Sequence, residues 1–476
     1  MKKILYKIHK SPTITTWGIH SLRFLYLILV IPLLIKHFNS IELAAFLLFD
    51  SVFELSTLLS QRLLKTFIRV ASYGLGGATS LKPFKGGEIR ENIGEPDWSL
   101  IGKIYRSCEL SFLFLGFISF FIITIVGYFG ISNLLNGAES KNIWLAFNYV
   151  CISTFLINTF FGYEAILKGL GGIATANVNT IIFRGLNILI LLIAIYLKKE
   201  IHVIVLWLQT VRVINAFYKK ILLDNILSEK LNSATLVKAF DKEVIISVFE
   251  PTWKGMISSF SSIGVRQLGG VIFTSVANPS VVASYYLSLK VMSAIAQISQ
   301  APFSSLTPIY AKMRAKNQLK DLLKLFRRRI FLSLSILSAI SLLFTYAGSE
   351  LMSILSKEVD FIDDTSWIFL SIFFLYDRYM VFLLSTIESG NDVRYYWQDL
   401  ICGIITLIIM YPLILIKGVL GMVLSFLIPK IMIFNIGPIF LSAKTFKVSV
   451  SKILDKRLIF IFIVQFTFLV MNIFAS

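Results

Sequence analysis

Arg266 lies in the middle of an apolar segment, residues 245–276. A helix rises about 1.5 Å per residue, so the guanidinium starts roughly 15 Å from the nearer end of that segment, farther than a long side chain can snorkel. A cation at that depth is costly unless it faces a protein interior or a watery cavity, and it marks a functional site with a partner. Lys290 sits well inside the next apolar segment, 281–306, and Arg23 sits toward one end of the first, 17–38. Asp50 and Glu54 stand one turn apart on one face of the second segment, 41–70, ahead of Arg62, Lys65 and Arg69. Arg184, Arg212 and the adjacent Asp377 and Arg378 add to the charges at depth. Two chemistries fit them. In one, the charges are structural ion pairs such as Arg23 with Glu54 or Arg378 with Asp377, holding helices together. In the other, an anionic ligand balances cations that outnumber the acids.

These residues sit on a chain built of apolar runs. Of its 476 residues, 56% are hydrophobic and 14% aromatic, with mean hydropathy +0.77, the profile of a polytopic membrane protein. Candidate spans cover 17–38, 41–70, 105–131, 142–168, 173–197 and 201–223, then 245–276, 281–306, 329–348, 367–388, 396–416 and 418–441. A thirteenth apolar run, 458–475, is short and peripheral to this count. The basic N-terminus precedes a retained first span, since no small-residue cleavage site follows Ile35. The expected organisation is therefore all-α: a six-helix lobe over 1–223, a cytoplasmic linker over 224–244, a second six-helix lobe over 245–442, and a basic C-terminal segment over 443–476 with the extra apolar run.

Lys and Arg exceed Asp and Glu by 46 to 27, and the surplus clusters in particular loops. Residues 312–329 carry Lys312, Arg314, Lys316, Lys320, Lys324, Arg327, Arg328 and Arg329 against Asp321, and so belong in the cytoplasm. The next loop holds Glu358, Asp360, Asp363 and Asp364 against Lys357, which suits the outside. Parity then places the N-terminus, 82–106 and 219–242 on the cytoplasmic side, with Lys198-Lys199 the one local exception. Basic cytoplasmic faces meet the anionic inner leaflet, so the charge does not call for nucleic acid. Sliding the halves by 239 residues pairs Asn39 with Asn278, Ala44 with Ala283, Leu48 with Leu287, Val52 with Val291, and Ser60-Gln61 with Ser299-Gln300, on the first hairpin of each lobe. An even number of spans per repeat gives parallel halves.

Other chemistries find no support. Cys108, Cys151 and Cys402 are scattered, and His9, His20, His37 and His202 lack ligand spacing, so neither disulfide nor metal nor other cofactor is expected. The stretch 72–77 is glycine-rich without the phosphate-loop pattern, and neither H-E-x-x-H nor G-x-S-x-G occurs. The longest loops lie on the basic side, which argues against an enzyme with a polar outer catalytic loop. Around Arg266, Gly269-Gly270 and the serines 258–259 and 261–262 either loosen the helix for a ligand or simply pack closely. Pro302 and Pro308 kink or end the eighth span.

Two groups of six spans, the sequence RVASYGLGG closing the second, YEAILKGLG closing the fourth, and Ala301-Pro302 with Pro308 closing the eighth together resemble Wzx-type polysaccharide flippases of the multidrug/oligosaccharidyl-lipid/polysaccharide (MOP) exporter superfamily. The resemblance covers nearly the whole chain. It implies a MATE-like V of two six-helix lobes around a central cavity lined by the first two helices of each lobe. It implies an inner-membrane, multi-pass flippase moving an undecaprenyl-diphosphate-linked oligosaccharide outward for O-antigen or capsule assembly, alongside polysaccharide polymerase and chain-length proteins. Arg23, Arg266 and Lys290 match by span the cations that hold the diphosphate and acidic sugars, with Arg378, Asp377, Arg212 and Arg184 as additional candidates. Asp50 and Glu54 repel a diphosphate, which assigns them to pairing with Arg23 or to a counter-transported H⁺ or Na⁺. The alternative in the same fold is a cation-coupled drug or metabolite antiporter, whose cavity would carry carboxylates and few cations.

The charge asymmetry predicts that an impermeant maleimide labels a cysteine at Ser356 in intact cells and one at Lys320 only after the membrane is opened. The reverse pattern would invert the topology.

Overall fold

The computed structural model describes the chain except residues 1–14, 16–17, 20, 23–24, 76–95, 137–139, 232–239, 305, 307–309, 311–312, 314–317, 356–358, 389–394, 435–436, 454–455 and 476. Arg23, Pro308, Lys312, Arg314, Lys316, Lys357, Glu358, Gly76-Gly77 and the middle of the expected linker therefore lie outside the described residues. What is described is all-helical, as expected. A π-turn (Tyr26–Val30) leads into α1 (Ile31–His37), followed by α2 (Ser40–Leu75), α3 (Trp98–Leu135), α4 (Lys141–Gly169), α5 (Ile173–Tyr196), α6 (Ile201–Leu231) and α7 (Lys242–Ser259). A second π-turn (Phe260–Gly264) joins α7 to α8 (Val265–Phe273), and then come α9 (Pro279–Ser304), α10 (Leu319–Leu355), α11 (Asp364–Glu388) and α12 (Tyr396–Phe434). The chain closes with α13 (Gly437–Phe446), α14 (Val450–Ile453) and α15 (Lys456–Ala475).

Apolar runs become helices because a backbone in hydrocarbon must bond its own N–H and C=O groups. Among the described helices, nine are long and apolar enough to cross a membrane by length and composition. The first and seventh expected spans are not among the nine: the first is described only in part and ends in a π-turn and the short α1, and the seventh is divided by a π-turn between α7 and α8. Spans eleven and twelve form one of them, α12. Within it the chain doubles back at Gly418, whose φ of +55° strains any residue with a Cβ; a Cβ on Gly421 would overlap the Leu413 carbonyl. That reversal falls where the hydropathy pattern divides.

Polar residues set the starts. Asn39 and Glu42 close a reciprocal box over the first turn of α2, each side chain accepting the other's backbone N–H. Asp97 accepts from Leu100 N ahead of α3, and Asp363 from Ser366 N ahead of α11. Asp241 caps α7 and bonds Lys103 of α3 at 2.9 Å, a hydrogen bond that holds its carboxyl below the usual carboxylate range.

Contacts divide the chain into two compact units, Met1–Val271 and Ile272–Ser476. In the first, α2 runs through the centre, packed on α3, α4 and α7. Phe67, Ile104, Tyr105, Phe112, Leu167 and Val248 belong to its buried core. Gly169 lets α4 touch α2: a Cβ there would stand 2.5 Å from the Ala71 methyl, and Ser72 Oγ donates to the Gly169 carbonyl at 3.1 Å.

In the second unit, the thirteenth apolar run is a structural member. Gln465 of α15 is 0% exposed. Its amide N–H groups reach Ser338 O, Ser338 Oγ and Ser341 Oγ of α10 at 3.0 to 3.3 Å, and its Oε1 accepts from Ser371 Oγ of α11 at 3.1 Å. Arg457 lies over the Phe331 ring, and Phe468 meets Tyr346, so α15 runs parallel to α10. Twenty residues span about 30 Å, the thickness of the hydrocarbon core. The register therefore carries α15 from the basic end of α10 to its acidic end.

Interhelical polar bonds in membranes average about 0.6 and reach about 1.7 kcal/mol, so Gln465→Leu should destabilise the protein by about 1–2 kcal/mol, visible as a lower thermal midpoint in detergent. A cysteine at Met471 should label from outside. An unchanged midpoint, or labelling only from the cytoplasm, contradicts this role for α15.

Candidate functional site

The first unit holds a polar seam along α2. Its face toward α7 and α8 carries Thr66, Arg62, Glu54 and Ser51; opposite them, in antiparallel order, stand Thr252, Ser259 and Gln267. Thr252 Oγ1 donates to Thr66 Oγ1 at 3.0 Å, and Arg62 Nε donates to Ser259 Oγ. Gln267 uses both ends of its carboxamide: Nε2 donates to Glu54 Oε2 at 2.7 Å, and Oε1 accepts from Ser51 Oγ. Each helix contributes fifteen residues between the first and last of these contacts, or roughly 22 Å at 1.5 Å per residue. Gly255 makes room for Arg62, since a Cβ there would sit 3.3 Å from Arg62 Cδ.

The π-turn lies between the second and third contacts of this seam. Val265 N bonds Phe260 O, five residues back. Such turns insert one extra residue and recur at functional sites. Arg266 follows directly, 8% exposed, its Nε donating to the Ser262 carbonyl of that turn at 3.1 Å. The serine run that the sequence left open between loosening and close packing is thus partly π-helical and partly engaged in the seam.

The remaining candidates divide between the units. Asp50 meets Arg212 of α6 at 3.3 Å, and the same guanidinium lies 5.1 Å over the Phe53 ring. Arg184 donates to the Ile19 carbonyl at 3.2 Å. Arg23 lies outside the described residues. In the second unit, Lys290 is half-buried on α9. Arg378 stands 3.9 Å from Asp377 and donates to Gln300 Oε1 at 3.1 Å.

Sequence reasoning missed two buried clusters. Lys430 of α12 approaches Asp377 at 3.1 Å and Asp399 at 3.9 Å, all three buried; its position in the middle of the twelfth apolar run was the available signal. Glu164 of α4 meets Lys168 at 2.5 Å and Lys219 of α6. The Glu164 and Lys168 spacing of four residues announces that pair, but Lys219 joins only through the fold. Gln267 was missed too, because an amide carries no charge to flag its depth.

No protein-family model matches the chain, and no curated protein does. Solved structures do. A multidrug resistance MATE family transporter of the MOP superfamily, in an inward-facing conformation, superposes with TM-score 0.67 at 15% identity, over 90% of this chain and 96% of its own. The fold is that of MOP superfamily transporters. A MOP superfamily transporter from Pyrococcus furiosus, whose reverse polarity of binding pocket suggests a different function, gives 0.59 at 14% identity over 93% of this chain and 96% of its own. A mutant of the Vibrio cholerae MATE transporter VcmN gives 0.57 at 12% identity, over 93% and 97%. Together with the apolar helices, this likeness makes the chain a multi-pass membrane protein.

Asp50 and Arg212 come from helices 162 residues apart, so their pairing is a test of the packing. Asp50→Asn or Arg212→Gln alone should lower protein abundance several-fold, as a loss of about 1–2 kcal/mol does, and Asp50→Arg with Arg212→Asp should restore most of it. Normal abundance for both single variants would make the pair incidental.

Proposed function

We propose that this protein moves a lipid-linked oligosaccharide, carried on undecaprenyl diphosphate, from the cytoplasmic to the outer leaflet of the inner membrane for O-antigen or capsule assembly. The observation that carries the reading is Arg266. It is buried, mid-span, beside a π-turn, and its helix is bonded along a polar seam to α2. A planar guanidinium fork matches diphosphate oxygens. Arg23 and Lys290 are the further cations of the same reading, and the lipid tail stays in the bilayer. Moving a net negative headgroup outward across a membrane that is negative inside releases about 2.3 kcal/mol per charge per 100 mV. The protein's task is then mainly to lower the desolvation barrier.

Carboxylates are the specific observation for the second reading, a cation-coupled drug or metabolite antiporter. Asp50 faces Arg212, while Asp377 and Asp399 face Lys430. A basic partner at each of these acids leaves the antiporter reading weaker.

Charge-assisted hydrogen bonds contribute about 1.5–3 kcal/mol, so Arg266→Ala should cut translocation of the lipid-linked sugar by roughly 10- to 100-fold, and Arg266→Lys should keep part of it. Abundance should hardly change. Surface polysaccharide per molecule of transporter is the measurement, and a normal rate per molecule with lowered abundance would make Arg266 structural.

A further inference from the structure

We infer that the outer rim of the first unit, where α1 and α5 end and α4 and α6 begin, binds the phosphate headgroup of an anionic phospholipid in the outer leaflet. The inference uses the orientation read from the loop charges and is independent of the transported substrate. It starts from Lys198-Lys199, a pair that runs against the charge asymmetry read from the longer loops.

That pair is held in place. Lys198 N bonds Ile195 O at 2.9 Å, Lys199 N bonds Ala194 O at 3.0 Å, and Lys198 takes a φ of +50°, the left-handed close of a helix end. The short loop that follows is pinned from two sides. His37 of α1 donates Nε2–H to the Lys199 carbonyl at 2.8 Å. Asn142 of α4 donates to Glu200 at 2.6 Å, and His202 of α6 stands 3.4 Å from the same carboxylate.

These bonds gather four lysines on one rim. Lys198 and Lys199 are in the loop, and Lys36 and Lys141 each adjoin a residue that grips it; all four are exposed. Two acids of the described residues belong to the same ends. Glu200 is engaged by Asn142 and His202, and Glu42 is closed in its box with Asn39. Helix dipoles favour cations at the ends of α1 and α5 but oppose Lys141, at the first turn of α4. An external anion answers all four.

Its class follows from what lies beside the lysines. Tyr196 is 85% exposed, with Ile193 and Leu197 exposed beside it, and Tyr128 of α3 packs on Trp144 of α4 at 5.4 Å. Exposed aliphatics capped by Tyr and Trp are the signature of a helix end at the bilayer interface. Acyl chains cover that apolar surface while a phosphate reaches the ammonium groups above it, which a soluble anion does not do.

Native mass spectrometry of the full chain in detergent, titrated with phosphatidylglycerol or phosphatidylcholine, tests this. Removing Lys36, Lys198 and Lys199 together as Lys→Gln changes should weaken the tightest phosphatidylglycerol adduct, by about fivefold per lysine or roughly 100-fold in all. Phosphatidylcholine retention should not move, Lys320→Gln with Lys324→Gln should keep the tight adduct, and three Lys→Arg changes at the rim should restore it. Wild-type affinity in the triple Gln variant, or displacement of the lipid by equimolar inorganic phosphate, overturns the proposal. So does impermeant labelling of a Lys198→Cys variant from the cytoplasmic face alone.

Discussion

A polar group taken into hydrocarbon has to be met by another, because leaving one partner bare costs more than the pair returns. That constraint shapes both units. In the first, α2 crosses the interior carrying Ser51, Glu54, Arg62 and Thr66, and it is tolerated there because α7 and α8 present a donor or acceptor to each of them. In the second, Lys430 lies between Asp377 and Asp399, and Gln465 satisfies three serines on two helices. Apolar packing gives these helices little preference for one neighbour over another in a bilayer, where lipid is as apolar as leucine. Polar contacts at fixed heights supply the register.

The same constraint explains what could be read in advance. Hydropathy is a local property, so the apolar runs and the break at Gly418 were visible residue by residue. Helix caps are nearly as local: Asn39 and Asn278, aligned by the internal offset, each stand just before a helix, with Val282 N bonded to Asn278 O in the second case. Partners are not local. Arg23, one of the partners the sequence offers for Asp50, lies outside the described residues, and the contact of Asp50 with Arg212, from a helix 162 residues on, has no signature in the spacing. Lys430 escaped notice inside an apolar run beside Pro429, and the amides of Gln267 and Gln465 drew no attention because burial cost was judged by charge. The π-turns were equally hidden, since no periodicity test registers a single added residue.

Relatives of this fold at 12 to 15% identity share its helices over nearly their whole lengths. At that distance the path of the backbone is what is shared. Here the buried acids meet basic partners, and the buried cation nearest the seam, Arg266, sits on a helix whose regular winding has just been interrupted.

That interruption has a bearing on how the two halves can be aligned. A π-turn is an α-helix with one residue too many, so everything beyond it is rotated by about 100° relative to an uninterrupted helix. The first and seventh spans each contain one, at Tyr26–Val30 and Phe260–Gly264. Under the offset of 239 residues that pairs Asn39 with Asn278, Tyr26 would correspond to Val265, beyond the end of the second turn. The two extra residues therefore entered at different heights. Under that offset the halves pair over the first hairpin from Asn39 and Asn278 onward and fall out of phase between the two insertions, so correspondence in those stretches has to be traced by which face a residue occupies rather than by its number.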